Sequence, residues 1–221
     1  MLYTQIPSTT FKQLQLNAGV IASSFTPGTA TLDQSSILGA TTGGISFTAT
    51  PTYTDFGEDI DNCPKNMKEL KKLESWEVKL SGTFVTVSSD LAKSLVGAAD
   101  KATGDATKVV PRNDLTADDF KDVWFVGDYS DVNTGEGAGF LAIHVMNALS
   151  TGGFQLTTTD KAKGQFAFEF TGHYSMDKQD TTPFEVYVKA GTATGKAPDM
   201  DGDAPAVASD EAVSDGKKSS K

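Results

Sequence analysis

Trp76, Val78, Leu80, Gly82 and Phe84 alternate with Glu77, Lys79, Ser81 and Thr83. A period of two belongs to a strand, and it puts one face in a core and the other in water. The pattern repeats along the chain. Phe166, Phe168, Phe170 and Gly172 share one face over 165–176, opposite Gln165, Ala167, Glu169 and Thr171, and 184–189 (FEVYVK) alternates again. Residues 121–130 (KDVWFVGDYS) and 139–146 (GFLAIHVM) are rich in strand-favouring aromatic and branched side chains. The intervening 131–138 has loop chemistry, so the pair reads as a hairpin with a long tip. Residues 154–159 and 165–176 flank DKAKG as a tighter hairpin ending at Gly164. The expected class is mainly β, a sandwich or barrel.

Helix is sparse. Over 90–101, Leu91, Leu95 and Val96 fall on one side at helical spacing and Gly97 weakens the end. Thr116 to Asp119 resembles a capping box with Asp in place of Glu, which suits a single turn. Residues 65–73 (KNMKELKKL), following Pro64, are expected to form a second short helix. No solenoid-length repeat is present.

Composition divides the chain. From Gly191 onward there is no aromatic residue, Leu or Ile, and Ala, Gly, Ser, Asp and Lys dominate. Such a segment buries too little apolar surface to offset its ordering entropy, so 191–221 is expected to be a disordered acidic tail. Residues 1–190 hold every Phe, Tyr and Trp and form the expected folded domain. The formal charge is −10, of which −8 falls on the body and −2 on the tail. That balance excludes a surface that grips nucleic acid, which needs a basic patch. One cysteine, Cys63, excludes an internal disulfide framework and any multi-Cys metal site. The first residues show neither the basic nor the apolar region of a secretory signal, and no apolar run reaches the ~18 residues that span a bilayer. A soluble protein made in a cytoplasm, without a membrane partner, is the expectation.

Catalytic and metal chemistry find little to work with. His144 and His173 fall in predicted strands and read as sheet histidines, and Cys63 has no identifiable base. Asp55-Phe56-Gly57 spells a kinase triplet without the loops that give it meaning. Gly39 to Gly44 lacks the lysine of a phosphate loop and reads as a flexible turn. Gly135, Gly137 and Gly139 are hairpin-tip glycines with no βαβ unit around them. Asp199, Asp201 and Asp203 resemble a calcium loop, but Ala204 and Asp210 stand where Gly and Glu are needed. No cofactor, no metal site and no enzymatic activity are expected.

One cluster is different. Asp55, Glu58, Asp59 and Asp61 fall within seven residues, with Phe56 and Ile60 among them and Asn62 next. Without a pocket around it, the cluster has no argument for paired-carboxylate catalysis. Two readings stay open: a solvated loop, or a contact with another subunit, since Phe and Ile on an exposed loop mark contact surfaces.

Long collinear segments carry a resemblance. FKQLQLNAGVIASSF (11–25), 37–84 from ILGATTGGISF to KLSGTF, 110–133 from VPRNDL to DYSDVN, GFLAIHVMNALSTGGFQL (139–156), and KGQFAFEFTGHYSM followed by PFEVYV (163–188) resemble the major tail protein, or tail tube protein, of tailed bacteriophages infecting Gram-positive hosts. The resemblance covers nearly all of the body and none of the tail, and it does not extend to variants with an added immunoglobulin-like domain.

The resemblance implies a β-sandwich with one flanking helix. Six copies form a ring, and the rings stack into a hollow tube whose joined inner sheets line a conduit for the genome. It implies the virion tail as location, with assembly in the host cytoplasm. It further implies tape measure, tail terminator and distal tail proteins as partners, and DNA that passes without specific binding. A long loop or hairpin reaches the adjacent ring, and 55–62 (Asp55, Phe56, Glu58, Asp59, Ile60, Asp61, Asn62) is the candidate for that contact. Which residues face the lumen stays unknown. A β-sandwich module of a phage particle that binds carbohydrate or host is the alternative.

Overall fold

In a computed structural model of the chain, the described residues are 6–7, 9–129, 132 and 137–192. The strands are β1 (Gln15–Ala22), β2 (Ile37–Gly39), β3 (Thr41–Asp55), β4 (Lys71–Phe84), β5 (Ala99–Ala102), β6 (Asp105–Pro111), β7 (Lys121–Tyr129), β8 (Phe140–Ser150), β9 (Gln155–Thr157), β10 (Gln165–Gly172) and β11 (Phe184–Lys189). Among the described residues a single α-helix, α1 (Ser89–Val96), lies between β4 and β5. The protein is mainly β, as its alternating strands predict. Its tail beyond Thr192, with Asp199, Asp201 and Asp203, lies outside the described residues, as does most of the expected 131–138 tip.

Nine strands form one antiparallel path, β2-β1-β7-β8-β10-β4-β3, with β11 beside β8 and β9 beside β10. The path doubles back on itself, so Ile21, Val123, Phe125 and Val145 from one layer meet Val78, Leu80, Phe84, Phe166, Phe168 and Phe170 from the other in one core. The fold turns inside β8. Residues 140–145 pair with β7 and β11, Ala148 pairs with Lys121 of β7 across a register shift, and Leu149 and Ser150 pair with β10. Between these stretches Asn147 adopts φ 48°, the bend by which a strand changes sheet. The Asp122 carboxylate accepts the Asn147 N–H at 3.1 Å, and the Asn147 side-chain amide donates to the His173 carbonyl at 3.2 Å.

Helix α1 begins at Ser88, whose hydroxyl accepts the Leu91 N–H, and buries Leu91 and Leu95 against the core. It is shorter than its sequence pattern. Gly97, at φ 84°, ends it, and Ala99–Ala102 becomes a strand pairing with β6. The helix expected over 65–73 is absent. Only the turn Lys68–Leu70 is helical, of 3-10 type, because Lys71, Lys72 and Leu73 pair with Asp55, Thr54 and Tyr53 across the hairpin. Gly39 to Gly44 is likewise no free turn. It closes β2 and opens β3, with Gly43 and Gly44 at positive φ where the β3–β4 register shifts.

The expected turn at Ala117–Asp119 is present with a complete capping box. Asp119, 1% exposed at its side chain, also meets the Arg112 guanidinium at 2.6 Å, and Arg112 reaches Asp100 at 2.7 Å. Burial alone pushes the Asp119 carboxyl up, but the Thr116 N–H and Arg112 outweigh it and hold the group below the usual carboxylate range. A depressed carboxyl stabilises the fold above the unfolded value of about 4, and that contribution is lost as pH falls through the folded value. Urea midpoints measured from pH 6 downward should therefore drop less steeply in acid for Asp119→Asn than for the wild-type chain. The variant starts from a lower midpoint at pH 6.

Candidate assembly surface

The β3–β4 hairpin outgrows the sandwich. The two strands pair from Thr41↔Phe84 to Asp55↔Lys71, but β10 covers the other edge of β4 only from Val78 to Phe84. Residues 50–55 and 71–77 therefore form a two-stranded ribbon with no third strand, roughly 20 Å long at ~3.3 Å per residue. At its root the Trp76 N–H donates to the Tyr174 hydroxyl at 2.9 Å. An isolated ribbon has marginal stability in water, so an arm of this kind calls for something to lie against.

Its tip is built, not slack. Asp55 accepts the Gly57 N–H at 2.9 Å with one carboxylate oxygen and the Asn66 N–H at 2.8 Å with the other. These two backbone donors, Gly57 first, hold the Asp55 carboxyl below its ordinary value. The Phe56 N–H reaches the Leu70 carbonyl, and Lys71 reaches the Asn66 side chain, both at 3.0 Å. Asn62 and Asn66 take φ of 60° and 63°, a left-handed conformation that Asn tolerates. Gly57 is buried, and a Cβ there would lie 3.1 Å from Leu70 and 3.3 Å from the Cys63 sulfur. Cys63 faces Met67, with their sulfurs 3.4 Å apart, inside this turn.

The tip divides the seven residues singled out by sequence. Asp55 anchors the turn and Asn62 turns the chain, while Glu58, Asp59 and Asp61 are exposed. Phe56 and Ile60 are 58% and 51% exposed, and Tyr53, Met67 and Leu73 also show apolar surface. Sequence reasoning passed over those last three, and the basic flank of Lys65, Lys68, Lys71 and Lys72 beside the acidic one. Tyr53 carries its own signal, the alternation with Thr52 and Thr54, whereas Met67 and Leu73 become surface only once 71–77 pairs with 50–55.

Elsewhere among the described residues the side chains form no constellation for catalysis. His144 stacks on Trp124 at 4.0 Å and lies 3.0 Å from Asp122 and 3.7 Å from Glu185. His173 sits just past β10 rather than within it and contacts the Asn147 carbonyl at 3.2 Å. Asp122 contacts both His144 and Asn147, yet no nucleophile joins the cluster. Among the described residues no group of three His, Cys, Asp or Glu side chains is placed to hold a metal ion. A groove of about 410 Å³ beside β1 and β7 is lined mainly by apolar residues such as Val20, Phe25, Leu32 and Phe140, and Asp128 is its one charged group. No helix among the described residues is long and apolar enough to cross a membrane.

No family model matches the chain. No curated protein matches it either. Among solved structures it is similar to a chain described as "Virion of native gene transfer agent (GTA) particle", with a TM-score of 0.38 and 7% sequence identity. That alignment covers 78% of this chain and 96% of the other.

Proposed function

We propose that the protein is a structural virion component. It assembles with copies of itself into hexameric rings that stack into a phage tail tube, the conduit for genome delivery, and it performs no catalysis. The observation that carries this reading is the β3–β4 arm, a ribbon that leaves the sandwich and ends in an ordered turn bearing exposed Phe56 and Ile60. Apolar side chains held outward on an ordered protrusion serve contact between molecules, not a core of their own. The sequence resemblance to tail tube proteins points the same way, and it supplies the tape measure, terminator and distal tail proteins as further partners. Unpaired sheet edges, that of β11 above all, also suit a subunit whose sheets continue into a neighbour, since closure in a ring removes edges that would otherwise aggregate. An acidic body gives DNA a wall it does not grip.

The test is negative-stain microscopy of the concentrated wild-type protein. Open tubes or stacked rings are the expected result. Monodisperse particles at every concentration would overturn the reading in favour of a binding module.

A further inference from the structure

Two apolar surfaces at one end of the sandwich lack a partner among the described residues. The first is on β11. Val186 and Val188 point to the same side as Phe184, whose ring packs against Phe47 and Trp76 in the core. Phe184 is half-buried against β3 and β4, but Val186 and Val188 are 50% and 56% exposed. The backbone edge of β11 away from β8 is paired by no other named strand.

The second surface is the segment leading into β1, where Ile6 is 77% and Phe11 60% exposed. It enters the sandwich where β11 leaves it. The register aligns Leu16 with Asp128, Asp128 with Phe140, and Phe140 with Lys189 in one row across β1, β7, β8 and β11.

The leading sequence, Leu2-Tyr3-Thr4-Gln5-Ile6-Pro7, places Leu2, Thr4 and Ile6 on one alternation and Tyr3 and Gln5 on the other. Pro7 disfavours helix at Ile6 and has no N–H to extend a ladder, so a strand formed here ends at Ile6. Five residues match the six of β11. The open edge of β3 fits worse, because it carries Pro51 and the Gly43–Gly44 irregularity, both of which blunt an edge. The β11 register has no Pro, Gly or shift. Ile6, the last residue of 2–6, is exposed on its own subunit.

We propose that residues 2–6 of one copy add as a strand to the free edge of β11 of a second copy, laying Leu2, Thr4 and Ile6 over Val186 and Val188. This rests on the reading that copies of the chain self-associate. Main-chain hydrogen bonds hold such an added strand, and its alternate side chains give specificity.

In a Cys63→Ser background, single variants Thr4→Cys and Val188→Cys are mixed under mild oxidation. A disulfide dimer that needs both variants is the expected product. No mixed dimer overturns the proposal. So does a Val188→Cys dimer forming as fast alone, which would mean that β11 meets β11 of another copy. Deletion of residues 2–6 should raise the concentration at which the full chain assembles by about tenfold or more, the scale of losing two or three half-buried apolar contacts. Wild-type protein that assembles while the deletion variant assembles equally well refutes this inference alone. Wild-type protein that never assembles refutes the tube reading, and the cross-link still decides whether residue 4 meets β11.

Discussion

Asp59→Lys combined with Ile60→Asp leaves a folded monomer that forms no tubes. Both positions are exposed on the arm tip, and neither side chain shapes the turn, in which Ile60 takes part only through its backbone N–H and carbonyl. Surface changes away from such features usually alter stability by no more than about 0.5 kcal/mol. The contact is another matter. Ile60→Asp puts a charge where an apolar side chain would be desolvated against a neighbour, and Asp59→Lys inverts the sign beside it. Truncating a hot-spot contact residue costs about 2 kcal/mol or more, and a tube repeats that loss at every subunit. Thermal melting should coincide with that of the wild type, while sedimentation and microscopy show no long assemblies. Normal tubes from the double variant would remove the arm tip from the interface.

Phe84→Ala should have the opposite signature, a large loss of fold stability. Phe84 is fully buried, pairs in register with Thr41 on one side and Phe166 on the other, and packs its ring against Phe168 at 4.4 Å between centroids. Removing a buried Phe costs about 3–5 kcal/mol through lost transfer energy and the cavity left behind. Domains have only about 5–15 kcal/mol in total, so a fall in melting temperature of roughly 10 °C or more is expected by calorimetry. Phe56→Ala is the natural control. It removes the same side chain from an exposed site, so it should leave the melting temperature nearly unchanged and weaken assembly instead. A melting curve for Phe84→Ala that overlays the wild type would contradict the core described here.

The contrast between these two phenylalanines also measures what the sequence discloses. Where one face of a strand is buried and the other wet, alternation writes the strand into the sequence. The strand ending at Phe84 and the one through Phe166, Phe168 and Phe170 are legible for that reason, and FEVYVK matches β11 residue for residue. β3 obeys the same rule, since Ile45, Phe47, Ala49 and Tyr53 alternate with Ser46, Thr48, Thr50, Thr52 and Thr54, but Gly43, Gly44 and Pro51 punctuate it like a turn and pairing with β4 is what carries the strand across them. The error over 65–73 has the same origin, since Lys and Leu at helical spacing give way once Lys71 to Leu73 find partners across the hairpin. The acidic run stood out on composition alone, but its place at the end of an arm depends on both strands of that arm. The basic flank therefore stayed hidden with it.

The bend at Asn147 bears on how a load would travel through the subunit. In a sandwich of two separate sheets only side-chain packing resists sliding of one layer over the other. Here one strand is stitched by hydrogen bonds into both layers, through β11 and most of β7 before the bend and through β10, with a last β7 pair at Ala148, after it. A push on the arm passes from β4 to β10 and then along β8 into the opposite layer. Shear between the layers must break backbone hydrogen bonds rather than merely slide side chains.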